Sequence, residues 1–229
     1  MNISKKILKL ILFLFILIFS GCSGSSAKLN RASKIPSGKE ITFFVATDIH
    51  YLSKSLTDDG EAFQKYISSG DGKQLDYIDE IMSAFANDIK KKPDILIISG
   101  DLTNNGERKN HLELAEKLKN IEKSGISVFV IPGNHDILNP WGRSFKGSNQ
   151  YKEDYINDKD FSKIYGAFGY NEALSRDMNS LSYLADPSKD IWLLMLDTCK
   201  YENNEILGFP QPDGELKPGT LEWIKNVQA

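Results

Sequence analysis

Three short apolar segments, each followed at once by polar residues, constrain most strongly what this chain can fold into. They span residues 41–46, 95–98 and 126–131, and none contains a charged side chain. Uninterrupted apolar runs of this length are typical of buried strands. Two segments with apolar residues at helical spacing separate the three runs. The order β-α-β-α-β predicts an α/β fold in which helices cover a parallel sheet.

Each of the two predicted helices carries one apolar face. The apolar positions are Ile78, Ile81, Met82, Phe85 and Ile89 in the first helix, and Leu114, Leu118 and Ile121 in the second. Spacings of three and four residues place such side chains on the same side of a helix. We expect Pro93 to stop the first helix and Gly125 to close the second.

Polar side chains follow each of the three predicted strands. Asp48 and His50 come after the first strand, Asp101 after the second, and Asn134 and His135 after the third. In parallel sheets of this kind, ligands bind beyond the carboxyl ends of the strands. The five side chains are therefore expected to meet at one edge of the sheet and to form the functional site.

Carboxylate, imidazole and amide oxygen groups together are suited to metal binding. If the segment after the first strand is extended, Asp48 and His50 point the same way and can share one ion. Asp101 has two carboxylate oxygens and can bridge two ions. Two ions about 3.5–4 Å apart can clamp a phosphate group and activate water. Gly100 and Gly133 allow the sharp backbone turns that such a site needs.

Three motifs occur in order, each after a predicted strand: D-x-H, then G-D-x-x-x-x-G over residues 100–106, then G-N-H-D over residues 133–136. D-x-H and Gly-Asp are each weak evidence alone, since such triplets are common and Gly and Asp favour turns. G-N-H-D after an apolar strand is stronger evidence, and the ordered set of three is specific. It resembles the calcineurin-like metallophosphoesterase superfamily from Ile41 onward. The resemblance implies a two-sheet β-sandwich flanked by helices. It also implies a centre of two metal ions (Mn, Fe or Zn) that hydrolyses phosphomonoesters or phosphodiesters by attack of metal-bound hydroxide.

The resemblance also assigns a role to each site residue. Asp48 and His50 would ligate the first metal, Asp101 would bridge, and Asn134 would ligate the second metal. His135 would act as the catalytic acid, protonating the leaving-group oxygen or stabilising charge on the phosphoryl group. The expected substrates are small phosphoesters such as nucleotides. Protein phosphatases are less expected, since they carry G-N-H-E where this chain has G-N-H-D.

The histidine count conflicts with a complete dinuclear centre. The family pattern continues beyond G-N-H-D with a single histidine and then G-H-x-H, whereas this chain has three histidines and none after His135. An amphipathic helix that begins with Thr220 as its N-cap is still in progress at Ala229. We therefore expect residues 41–229 to be the N-terminal portion of a metallophosphoesterase domain whose C-terminal part is missing.

Two expectations follow from the incomplete ligand set. This chain should bind at most one metal ion with useful affinity and be weak or inactive as an enzyme. The alternative is a surface lipoprotein that keeps the fold as a non-catalytic binding module. The formal net charge of −3 makes an electrostatically driven nucleic-acid binder unexpected.

The N-terminus is predicted to be an export signal. Three lysines precede the apolar run LILFLFILIF at residues 10–19, which is shorter than the roughly 20 residues of a membrane-spanning helix. Ser20-Gly21-Cys22 then resembles the lipobox of bacterial lipoproteins, in which the cysteine carries lipid. An uncleaved anchor is the alternative. Either way, residues 22–40 are expected to be a flexible tether that holds an extracytoplasmic domain at the cell membrane.

The remaining segments permit more than one interpretation. Residues 137–180 are either an insertion that covers the site or a surface excursion. Residues 180–184 and 191–196 predict two antiparallel strands joined by a turn at 186–190, and hence a second sheet. Asp197 is either a support for the site or a turn residue. His111 is expected to be a partly exposed helix residue.

Overall fold

The computed structural model of the protein describes residues 35–69, 72–90 and 93–228. The predicted signal at 1–21, the lipidation site Cys22 and most of the predicted tether lie outside these residues. In the described part of the chain, no helix is both long and apolar enough to cross a membrane.

The three predicted strands form one parallel sheet. They are β1 (Phe43–Ala46), β2 (Ile95–Ser99) and β3 (Ser127–Ile131), in the order β1-β2-β3. Every paired residue follows one register, which begins with Phe43 opposite Ile95 and Ile95 opposite Ser127. The parallel order brings the three carboxyl ends to the same edge of the sheet, as the sequence predicts.

Strand β1 is more exposed than predicted. Val45 is 67% exposed and Phe43 is 37% exposed, whereas β3 is buried along its whole length. Among the described residues, β1 pairs only with β2 and therefore forms an edge of the sheet. The prediction of a buried strand is thus wrong for β1, because an apolar run indicates a strand but not whether both of its faces are covered.

Three helices lie between the strands of this sheet: α1 (Glu61–Ser68), α2 (Ile78–Asp88) and α3 (Arg108–Glu122). The predicted stripe of α3 is confirmed, since Leu114, Leu118 and Ile121 are all buried. Gly125 follows α3 in the left-handed region with φ of 96°. In α2 the stripe is narrower than predicted, because Ile81 is exposed.

A second, antiparallel sheet has the order β6-β7-β8. Its strands are β6 (Ser175–Arg176), β7 (Tyr183–Ser188) and β8 (Ile191–Met195). The predicted antiparallel pair is confirmed, but β7 continues to Ser188, so the turn is shorter than the predicted segment 186–190. The buried hydroxyl of Tyr183 donates a hydrogen bond to the Val130 carbonyl at 3.0 Å and so links β7 to β3.

The segment 137–180 is part of the folded core. It forms a hairpin of β4 (Arg143–Lys146) and β5 (Asn149–Lys152), followed by helix α4 (Asp158–Ile164). Phe145, Ile156 and Phe161 within it are buried. It is therefore more than a surface excursion, because its apolar side chains complete the hydrophobic core.

Two further helices follow the second sheet: α5 (Asn204–Leu207) and α6 (Pro218–Gln228). Helix α6 begins at Pro218, so the prediction of Thr220 as its N-cap is wrong. Proline suits the first turn of a helix because its ring fixes φ and no N–H is needed there. The Thr220 hydroxyl instead donates a hydrogen bond to Asp177 at 2.5 Å.

Contacts with the folded part begin earlier than the predicted start at Ile41. Ile35 is buried and bridges Ser188, and the Ser37 hydroxyl donates a hydrogen bond to Asp190 at 2.6 Å. Residues 35–40 are therefore not a free tether, although their composition is typical of one. The composition of this segment gave no sign of this contact, because it contains few apolar residues and only one of them, Ile35, packs against another strand.

We expect Leu118→Ala to lower the free energy of unfolding by about 2–5 kcal/mol, because it leaves a cavity where α3 packs in the core. The matched control is Leu112→Ala, since Leu112 lies on the exposed side of the same helix and should change stability by only about 0.5 kcal/mol. Urea unfolding of both variants measures the difference. Equal losses would contradict the assigned orientation of α3.

Candidate metal centre

Three of the residues predicted to bind metal have an unusual backbone conformation. Asp48, His50 and Asp101 have φ values of 55°, 46° and 47°, all in the left-handed region. The prediction that Asp48 and His50 share a side because their segment is extended is therefore wrong. The two side chains do lie close together, but left-handed backbone at Asp48 and His50, on either side of Ile49, brings them there rather than strand alternation.

Backbone hydrogen bonds hold this strained conformation. Asp48 N–H donates to the Gly100 carbonyl at 3.2 Å, and His50 N–H donates to the Asp101 carbonyl at 2.9 Å. Tyr51 N–H continues the series to Leu102 at 2.9 Å. A left-handed position costs on the order of 1–3 kcal/mol for a residue other than glycine. The bonds between the two loops offset that cost and fix the direction of the side chains.

The resulting cluster has the dimensions of a metal site. One ligand atom each of Asp48, His50 and Asp101 lies within 4.8 Å of the others. His50 Nε2 is 3.8 Å from an oxygen of Asp48 and 3.8 Å from an oxygen of Asp101. Two atoms that each lie about 2.0–2.2 Å from one ion can be up to about 4.4 Å apart. Both His50–carboxylate distances of 3.8 Å meet this limit, and the three side chains together are a candidate site for one divalent ion.

His50 is held in the neutral form that metal binding requires. Burial and, to a smaller extent, the nearby positive charge of Lys73 lower the pKa of His50 to about 4. The negative charge of Asp101 opposes this shift. At neutral pH the ring therefore has an unprotonated nitrogen that can act as a ligand.

The two motif glycines allow the loops after β2 and β3 to approach each other closely. Gly100 has φ of 102°, as the predicted sharp turn requires. A Cβ atom on Gly133 would lie 2.1 Å from Asp101 N and 2.2 Å from Asp101 Oδ1. Gly133 is therefore required for space rather than for an unusual φ, and its absence of a side chain makes room for a candidate ligand.

Asn134 lies in the same cavity as two of these ligands. This cavity of about 270 Å³ is lined by Asp48, Asp101 and Asn134, together with residues 198–199 and 212–214. The last two segments come from beyond β8 and meet at the bridge between Cys199 and Gly214. Sequence analysis missed this wall of the cavity, because ordinary turn residues give no signal of a distant site.

His135 is positioned by the cluster and by the loop after β2. Its backbone N–H donates to Asp101 Oδ1 at 3.0 Å, and its ring centroid is 5.0 Å from that of His50. His135 Nδ1 is 2.9 Å from the carbonyl oxygen of Asn104. Because a carbonyl only accepts, Nδ1 carries the hydrogen in this bond, and Nε2 is the nitrogen that can gain or lose a proton.

Asp136 joins the loop after β2 to the loop after β3. Its fully buried carboxylate accepts hydrogen bonds from the N–H groups of Leu102, Thr103 and Gly133 at 2.8–3.0 Å, and from the Thr103 hydroxyl at 2.9 Å. Burial raises the pKa of Asp136 to about 7, the charge of Asp101 adds to the rise, and the backbone donors oppose it. The sequence analysis assigned Asp136 no role in the site, although its place in G-N-H-D was a usable signal.

His111 belongs to the same buried network. The prediction of a partly exposed helix residue is wrong, since His111 is completely buried. His111 Nε2 donates to the Asp136 carbonyl at 2.9 Å, and Nδ1 accepts from the Tyr165 hydroxyl at 2.9 Å. Burial lowers its pKa to about 3, so the ring is neutral. The face of α3 that carries it packs on the site loops, which a helical pattern alone does not identify.

Asp197 shapes the cavity wall from a distance. Its buried carboxylate accepts from the N–H groups of Leu181 and Cys199 at 3.0 Å and from the Tyr201 hydroxyl at 2.9 Å. These bonds order the turn that leaves β8 and places Cys199 at the cavity. Of the two roles considered for Asp197, support for the site or part of a turn, the structure favours the turn. Its effect on the site is indirect, through the position of Cys199.

Comparison with known proteins agrees with this geometry. Residues 41–228 match the sequence model of the family described as calcineurin-like phosphoesterase. Over 67 residues the chain is 34% identical to the "Probable glycerophosphodiester phosphodiesterase GpdQ" of Arcobacter nitrofigilis. That match covers 29% of this chain and 23% of the relative, so the chain spans about a quarter of the curated relative.

Asp101→Asn should weaken Mn²⁺ binding, because the amide lacks the negative charge of the carboxylate. The amide oxygen can still accept the hydrogen bond from His135 N–H, so the backbone contact is kept. Loss of an outer-shell partner costs about 10–100-fold in metal affinity, and loss of a direct ligand should exceed that range. Equilibrium dialysis measures the affinity. Asp213→Asn is the matched control, since Asp213 lines the same cavity outside the cluster. Equal losses in both variants would mean that general charge, not ligation, determines binding.

The raised pKa of Asp136 predicts a pH-dependent stability. Between its ordinary value of 3.8 and about 7, the folded state binds the proton more often than the unfolded state. The free energy of unfolding therefore falls as pH rises through this window, by at most about 1.4 kcal/mol per pH unit from this group. Asp136→Asn should lose this contribution, as measured by urea unfolding at several pH values without metal.

The control for this measurement is Asp154→Asn, because Asp154 is exposed and should leave the pH dependence of stability unchanged. If the wild-type protein and Asp136→Asn lose stability equally across the window, the buried carboxylate does not have the assigned pKa.

Proposed function

Because the chain belongs to the calcineurin-like phosphoesterase family, we propose that it is built for metal-dependent hydrolysis of a small phosphate ester. The observation that carries the proposal is the convergence of Asp48, His50 and Asp101 on one point next to His135. Asp48 and His50 would hold one ion together with Asp101, whose second oxygen faces the third loop. A bound metal ion supplies charge stabilisation for the phosphoryl group and an activated water molecule.

His135 supplies the proton for the leaving group. In its protonated form it carries a hydrogen on each ring nitrogen. The Asn104 carbonyl holds the Nδ1 hydrogen, so the Nε2 hydrogen is the one available for transfer to the leaving-group oxygen. The bond from His135 N–H to Asp101 couples the position of this acid to the position of a metal ligand. Proton transfer by a positioned side chain typically accelerates a reaction about 10²–10⁴-fold.

We propose that this chain binds one ion of Mn, Fe or Zn well and a second poorly. Asp101 and the Asn134 amide would be the residues available to hold a second ion, and the 229-residue sequence has no histidine after His135 to add to them. An amide and a shared carboxylate are a weak pair of ligands. Slow turnover by this chain is the expected consequence, since two ions stabilise both the attacking and the leaving oxygen.

Phosphodiesters are the favoured substrates. The curated relative is named as a glycerophosphodiester phosphodiesterase, and we carry over to this chain only the diester part of that name, not the glycerol. The basic and apolar N-terminal segment followed by Cys22 supports an extracytoplasmic site of action, with the domain held at the cell membrane by lipid.

We expect His135→Ala to lose far more activity on a dialkyl phosphodiester than on bis(p-nitrophenyl) phosphate. The alkoxide is a poor leaving group and needs the proton, so its rate should fall about 10²–10⁴-fold. The nitrophenolate leaves unprotonated, so its rate should fall much less. Rates are measured with added Mn²⁺ and with a chelator, and the Mn²⁺ stoichiometry is measured on the same samples.

The control is Trp192→Ala, which removes an exposed aromatic ring on β8 and should leave both rates unchanged. Equal losses on both diesters in His135→Ala would contradict the acid role. Two tightly bound ions with ordinary turnover would contradict the one-ion proposal. If no diester is hydrolysed above the chelated control, the catalytic proposal fails for this chain and a non-catalytic binding module is favoured.

A further inference from the structure

Trp141 stands next to the proposed acid and is half exposed. Its ring centroid is 6.4 Å from that of His135, with the two ring planes at 65°, and 45% of the residue is accessible. A large aromatic side chain that is exposed at a functional site is a candidate for ligand contact. Because His135 faces the leaving-group oxygen in the proposed reaction, Trp141 lies on the side where the leaving group would sit.

Hydrogen bonds fix the indole in this position. Its ring N–H donates to the Gly208 carbonyl at 2.9 Å, which anchors one edge of the ring. Trp141 backbone N–H donates to Asn139 Oδ1 at 3.0 Å, and the Asn139 amide donates to the His135 carbonyl at 3.0 Å. Hydrogen bonds therefore connect Trp141 to His135 through Asn139, and they fix the position of the indole ring relative to His135.

The turn that anchors the indole is itself apolar and exposed. It comprises the end of α5 and the two residues that follow, residues 206–209, and the chain reverses at Gly208, where φ is 76°. Ile206, Leu207 and Phe209 in this turn are all exposed to solvent. Adjacent exposed apolar side chains of this size are often part of a binding surface. Trp141 and this turn together form an apolar surface at the edge of the site.

We propose that Trp141 determines specificity by stacking on a planar aromatic group carried by the leaving alcohol, such as the base of a nucleoside released from a phosphodiester. This inference rests on the proposed function, which places the phosphate at the metal cluster. An indole stacks on any base because every base has a π face. Glycerol has no such face, so the preferred alcohol differs from the one in the name of the curated relative.

The test compares two ligands that share a phosphate but differ in the alcohol. Adenosine 5′-monophosphate and glycerol 3-phosphate are titrated into the Mn²⁺-loaded full chain by calorimetry. The wild-type protein should bind the nucleotide about 5- to 100-fold more tightly, which is the range that stacking of one base supplies. Trp141→Ala should lose that advantage and bind glycerol 3-phosphate as before, whereas Trp141→Phe should keep part of it.

The control is Trp192→Ala, which removes another exposed tryptophan on β8 and should not change either affinity. Thermal melts of each variant check that it is folded. If both ligands bind equally to the wild-type protein, or if Trp141→Ala keeps the nucleotide preference, the stacking role is wrong while the proposed function stands. If neither phosphate ester binds, both the stacking role and the proposed function are overturned.

Discussion

The buried carboxylate of Asp136 is the interaction on which the candidate site depends most. It accepts hydrogen bonds from Leu102 and Thr103 in one loop and from Gly133 in the next. Without a side-chain acceptor, the buried N–H groups of Leu102 and Thr103 would lack partners, at a cost of about 1–3 kcal/mol each, and so would the partly buried N–H of Gly133. Satisfying them pulls the two loops together, and this brings Asp101 against the backbone N–H of His135.

A second set of bonds, between the loops after β1 and β2, explains why backbone strain is tolerated at the candidate metal ligands. Asp48, His50 and Asp101 occupy left-handed backbone positions that an isolated loop would rarely adopt. Backbone bonds between the loops after β1 and β2 hold them there in the protein. The ligands are thus arranged before any ion arrives, so little ordering entropy remains to be lost on binding. Preorganisation of this kind also fixes His135 relative to the cluster.

Sequence analysis predicted the features that depend on local pattern. The strands, the stripe on α3 and the convergence of the motif residues all follow from apolar spacing and from the geometry of parallel sheets. It did not predict the left-handed conformation of Asp48 and His50, the burial of His111 or the contribution of residues 198–199 and 212–214. Each of these depends on contacts between residues distant in sequence, which one sequence without pairing information does not reveal.

The central claim is that Asp48, His50 and Asp101 bind a divalent metal ion as one unit. Anomalous X-ray diffraction from crystals of the protein soaked in Mn²⁺ tests this claim most directly. We expect one strong anomalous peak bound by an oxygen of Asp48, His50 Nε2 and an oxygen of Asp101, at about 2.0–2.3 Å from each. Crystals without a peak at these three side chains, or with the strong peak elsewhere, would contradict the account.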